Sequence, residues 1–168
     1  MIAPGEVKYK AAEKERENFK FRTFLRNRAK EDILDHQFLT LHNELFANYD
    51  CSRCRNCCKE YHGEIPRENL EKSAEYLGLS VAQFTKQYLE IDEMTGEYRT
   101  KNKPCDFLLE NGECKLGDCR PQSCKNYPHT NQPERLYSLL SVLDAVSVCP
   151  VAYEIFERLK KKYGFVSR

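Results

Sequence analysis

Four cysteines fall inside eight residues, Cys51-Ser-Arg-Cys54-Arg-Asn-Cys57-Cys58, and Cys105, Cys114, Cys119, Cys124 and Cys149 follow, so every thiol lies after residue 50. Two cysteines separated by two residues turn both thiolates toward one ion when the backbone between them makes a tight turn, an arrangement that serves zinc and iron-sulfur centres alike. The spacing occurs here twice in tandem. Cys51, Cys54 and Cys57 reproduce the first three positions of a ferredoxin-like C-x2-C-x2-C run, whose fourth ligand commonly comes from a distant Cys followed by Pro, as in Cys149-Pro150. Adjacent Cys57 and Cys58 are harder to seat on one ion, because neighbouring side chains diverge along most backbone conformations. They point to two sites or to one multinuclear centre.

A disulfide framework is the competing reading of clustered cysteines. Three features weigh against it. The first ten residues lack the apolar run of a secretory signal, the cysteine count is odd, and 168 residues can build a core without staples. The expected setting is the cytoplasm, with reduced thiols. A net charge of +1 argues against a general nucleic-acid surface, and no apolar run approaches eighteen residues, so no membrane span is expected. Charged residues make up 32% and mean hydropathy is -0.73, which implies much solvated helix around a modest core that metal ligation would reinforce.

The elements that must position these thiols read as mainly α, with a small β-hairpin and cysteine-rich metal-binding loops in a single compact domain. Residues 1–30 carry nine Lys or Arg against four Glu and read as a basic helical extension, mostly a solvated face, ahead of a metal-binding domain over 31–168. Phe19, Phe21, Phe24 and Leu25 must pack. Leu34, Phe38, Leu41 and Leu45 form one helix stripe leading into the cysteine loop, with His36 and His42 as surface or partly buried residues. Pro66 and Gly78 bound a further helix, and Ser80 with Gln83 is a capping-box signature for another over Val81 to Glu90. That pair has too little basic charge to be a DNA-reading helix-turn-helix. Asn111-Gly112 signals a hairpin that brings Cys105 toward Cys114, while Cys119 and Cys124 fall in irregular backbone. Leu136, Leu139, Leu140 and Leu143 form the stripe of one more helix, and Cys149-Pro150 opens the last, whose basic C-terminal end suits the macrodipole and needs no partner.

Asp50 to Cys58, Cys105-Asp-Phe-Leu, Cys114, Arg120-Pro-Gln-Ser-Cys124-Lys-Asn-Tyr-Pro128 and Cys149-Pro150 together resemble the CxxCxxCC family of YkgJ type, a zinc- or iron-chelating domain, over roughly residues 20 to 163. The resemblance implies eight metal ligands: Cys51, Cys54, Cys57, Cys58, Cys105, Cys114, Cys124 and Cys149. Cys119 stands where the family pattern does not demand a cysteine, and Gly117 where an aromatic residue is common. The expected function is a metal-binding cysteine cluster holding zinc or iron, the latter also as an iron-sulfur cluster, with metal ions as the first partner and room for a protein partner. The alternatives are a metal-dependent enzyme related to flagellin lysine N-methylases and a zinc adaptor module. No G-x-G-x-x-G turn supports a self-contained methylase. His62 and His129 each follow a cysteine block and read first as exposed or hydrogen-bonded loop residues, second as replacements for a thiolate.

Overall fold

A computed structural model describes residues 1–167. Its described residues form α1 (Val7–Glu13), α2 (Glu15–Arg28), α3 (Glu31–Phe46), α4 (Asn56–Glu60), β1 (Glu64–Ile65), α5 (Leu70–Tyr76), α6 (Val81–Tyr88), β2 (Leu89–Ile91), β3 (Tyr98–Thr100), α7 (Gln122–Asn126), α8 (Arg135–Val146) and α9 (Pro150–Lys162). The fold is mainly helical, as the sequence leads one to expect, with a small antiparallel sheet of order β1-β3-β2. Contacts divide it into two compact units, one built from Met1–Asp50 and the chain from Pro128 onward, the other from Cys51–Tyr127. Among the described residues, no helix is long and apolar enough to cross a membrane.

In the first unit, α2 places Glu15 and Glu17 in its first turn and Arg26 and Arg28 in its last, matching the helix dipole. Phe21 and Leu25 are fully buried, and Phe21 meets Phe156 edge to face at 5.1 Å; Phe19 instead stays exposed. The α3 stripe lies where its period puts it, with Leu34, Phe38 and Leu45 buried and Leu41 at its margin. The α8 stripe differs from expectation. Leu140 is 56% exposed, and the buried face runs through Arg135, Leu139, Val142, Ala145 and Val146. The helix packs against α2, α3 and α9, and the smaller side chains allow that close approach. Its first turn has no cap of its own, so the Asp35 carboxylate on α3 accepts from the Glu134 and Arg135 amides at 2.8 and 2.9 Å.

The basic end of α9 also departs from expectation, because Lys160 is buried. Its ammonium donates to Glu17 at 2.6 Å and to Glu157 at 2.7 Å, and Lys14 reaches Glu157 as well, so the helical N-terminus is tied to α9 through charge. Burial pulls the Glu157 carboxyl up, but the hydrogen bonds from Lys14 and Lys160 outweigh it and the net direction is down from 4.5. A depressed carboxyl contributes stability above its unfolded value and loses it as pH falls through the folded one. Acid below about pH 4.5 should therefore raise amide exchange in α1 and α2, and Glu157→Gln should flatten that pH dependence.

In the second unit, Pro66 precedes a 3-10 turn that runs into α5, and Gly78 takes φ 68° just past its end, as a helix stop requires. The capping box on α6 is complete: Ser80 Oγ accepts from the Gln83 amide and Gln83 Oε1 from the Ser80 amide. That helix ends at Tyr88, two residues before its expected limit, because Leu89–Ile91 pairs with β3 and Arg99 bridges to Glu90 and Asp92. The Asn111-Gly112 turn forms, but as a single bridge, Leu108 to Cys114, while the sheet lies in β1, β2 and β3. The core gathers Ile65, Leu89, Leu116 and a stacked Phe84–Phe107 pair with centroids 5.7 Å apart.

Candidate metal centre

The cysteine loop owes its shape to two tight turns. Residues 51–53 make a 3-10 turn in which the Cys54 and Arg55 amides both donate to the Cys51 carbonyl, at 3.1 and 3.2 Å. Arg55 then adopts φ 53°, a left-handed conformation that costs a non-glycine residue about 1–2 kcal/mol. This reverses the chain into α4, whose first turn carries Cys57 and Cys58. Holding Arg55 there is a hydrogen bond from its Nε to the Gly112 carbonyl, which also fixes the Asn111-Gly112 turn against the loop. The expected divergence of the vicinal pair is not what the helical turn produces. Their sulfurs stand 3.9 Å apart, within reach of a weak thiol hydrogen bond.

Cys58, Cys105, Cys114 and Cys124 line one cavity of about 30 Å³ together with Arg55 and Arg120. They arrive from four separate segments. Cys58 comes from α4; Cys105 is tied to it by its amide, which donates to the Cys58 carbonyl at 2.7 Å. Cys114 forms the bridge to Leu108, and Cys124 lies on α7, a one-turn helix after Pro121 where irregular backbone was expected. Hydrogen bonds meet three of the sulfurs: the Phe107 amide and Thr100 hydroxyl serve Cys105, the Leu116 amide serves Cys114, and Cys57 serves Cys58.

The charge environment splits these four. A hydrogen bond with Cys57 brings the Cys58 thiol down to about 6 against its burial, with Arg120, Arg55 and Lys59 adding to the effect. Burial pushes Cys105 and Cys114 up and takes Cys124 to about 11, while Arg120 works against the rise at Cys114 and Cys124. Three half-buried neutral thiols beside one ionised sulfur are a donor set that a dication suits, since its charge offsets the desolvation that keeps them protonated. As they stand, no three His, Cys, Asp or Glu side chains among the described residues are close enough to enclose an ion.

Elsewhere, Cys51 is exposed, Cys54 is buried and Cys57 half-buried, and none of them lines the cavity. Cys149 belongs to the first unit, where it is the N-cap residue of α9. Cys119 sits in the apolar core of the second unit with Phe84, Phe107 and Leu116. Gly117, where the family commonly has an aromatic, has φ 50°, and the Tyr76 ring from α5 fills the space a side chain would take. His62 donates from Nδ1 to the Thr100 carbonyl at 2.6 Å, a loop role as expected. Arg55 and Arg120 escaped sequence reasoning, although both lie inside the cysteine blocks themselves.

Convergent thiols with cationic neighbours place the chain among the metal-chelating cysteine domains. It belongs to the CxxCxxCC family, described as a putative zinc- or iron-chelating domain, which matches residues 50–149. No curated protein and no solved structure matches the chain.

Proposed function

We propose that this domain holds zinc or iron through eight thiolates, Cys51, Cys54, Cys57, Cys58, Cys105, Cys114, Cys124 and Cys149, and that the metal fixes the cysteine loops. The observation that carries this reading is the convergence of Cys58, Cys105, Cys114 and Cys124 on one cavity from segments as far apart as residues 58 and 124. Cys51, Cys54 and Cys57 enter on their tandem spacing, and Cys149 on its Cys-Pro pair and the family pattern alone. The reading takes the compartment to be a reducing one such as the cytoplasm, where thiols stay available as ligands.

Anaerobic purification with metal analysis and an absorption spectrum tests the proposal. Colourless protein with about two zinc ions per chain supports paired tetrathiolate sites, and broad visible absorbance with iron and sulfide supports a cluster. Metal-free protein that stays metal-free on titration with either ion would refute it. Cys119 supplies the control. Cys119→Ser should keep the full metal content while losing about 1–3 kcal/mol of stability, because the new hydroxyl meets an apolar core.

A further inference from the structure

The cavity in the second unit gives the thiolate reading a sharper form, and the argument rests on that reading. We infer that Cys58, Cys105, Cys114 and Cys124 close around one soft divalent ion as a four-thiolate site, with Arg55 and Arg120 as its counter-charges, and that Cys51, Cys54 and Cys57 do not serve it.

Three observations carry this. The first is membership: of the seven candidate thiols in the second unit, these four line the cavity and the other three do not. The second is room. A cavity of about 30 Å³ holds two or three water-sized bodies, one water needing roughly 10–15 Å³. That accommodates a single ion. The third is the surroundings of the sulfurs. Cys105 and Cys114 each receive the amide of the residue two positions on, Phe107 and Leu116, and such outer hydrogen bonds orient a ligand and favour its anionic form.

Charge accounts for the arginines. Four thiolates and one dication sum to -2, and a buried dianion is costly without compensation. Arg55 and Arg120 supply two positive charges, and each is fixed by a backbone carbonyl of the site's own segments, Gly112 for Arg55 and Cys124 for Arg120. The one carboxylate on the lining, Glu113, is exposed and takes a hydrogen bond from Asn111 Nδ2 at 2.9 Å.

Cobalt(II) is the probe, because its sulfur charge-transfer band counts thiolates. The triple variant Cys51→Ser, Cys54→Ser, Cys57→Ser should keep one cobalt with a four-thiolate spectrum. Cys105→Ser, Cys114→Ser and Cys124→Ser should each lose about a quarter of the band, one thiolate in four. Arg55→Gln and Arg120→Gln should weaken cobalt binding on the order of tenfold with the spectrum unchanged, and Arg→Lys should recover most of it. A second measurement covers variants that fail to fold: in the unmodified chain, one equivalent of zinc should newly protect Cys58, Cys105, Cys114 and Cys124 from alkylation. Protection of Cys51, Cys54 and Cys57 instead, sulfide-bearing iron in the cavity, or arginine variants that bind as tightly would overturn the assignment and leave chelation standing. A chain that binds neither cobalt nor zinc sinks both.

Discussion

Removal of metal by a strong chelator should abolish hydrogen-exchange protection throughout Cys51–Tyr127 while α3, α8 and α9 keep theirs. The contrast follows from what each unit has to hold it. The first unit buries Phe21, Leu25, Leu34, Phe38, Ile155, Phe156 and Leu159 completely. The second relies on a smaller core around Phe84 and Phe107, and in so short a stretch one apolar core supplies only about 3–5 kcal/mol. A structural zinc site contributes apparent binding free energies of about 10 kcal/mol or more, and that energy is folding energy when the site does not exist in the unfolded chain. Cys58 and Cys124 close a long loop, so the ordering entropy they oppose is large. Loss of the ion thus exceeds everything else holding the unit. Slow exchange that persists at Phe84, Phe107 and Leu116 in metal-free protein would show that the core suffices.

Local chemistry made much of this fold legible. The α3 and α9 helices, the Ser80-Gln83 capping box and the Gly78 stop each depend on residues within a few positions of one another, and sequence spacing encodes those relations directly. What was not legible depends on neighbours from elsewhere in the chain. The buried face of α8 is set by its packing against α2, α3 and α9, so the leucine-rich side lost to one lined with Val142, Ala145 and Val146. Residues 89–91 continue a helical pattern but pair with β3, whose partner strand cannot be read locally. Lys160 looks like an ordinary cation at a helix end, and Glu17, far away in sequence, joins Glu157 of its own helix in making it an internal one.

The site divides the same way. Spacing singled out the cysteines, and four of them line one cavity, but it could not say which four, since a cavity is a property of several segments at once. Nor could it find Arg55 and Arg120, whose guanidiniums matter by distance to sulfurs on other loops. Arg55 is the better example. It occupies an x position of the C-x2-C spacing, a place read as a spacer, yet it takes the strained left-handed conformation and anchors the Gly112 turn.

That turn is the basis for the second large effect, expected of Gly112→Ala. Gly112 has φ 81°, and a methyl group there would lie well inside van der Waals distance of the Ser52 carbonyl oxygen, a backbone atom that cannot rotate away. The substitution therefore adds a clash to the left-handed penalty of about 1–2 kcal/mol. Relief requires the turn to leave the cysteine loop, which would break the Arg55 hydrogen bond to the Gly112 carbonyl and move Cys114 from the cavity it lines with Cys58. The expected result is a loss of about 3 kcal/mol or more, with metal affinity falling at least tenfold, the scale set by overpacking and by disturbed outer-shell contacts. Gly96→Ala separates the two contributions. Gly96 has a similar φ of 71° with nothing within 4 Å of an added methyl, so it should cost only the conformational part and leave metal binding intact. Thermal melts and zinc competition titrations on both variants check this, and equal effects from the two would mean that the turn's contact with the cysteine loop carries no weight in building the site.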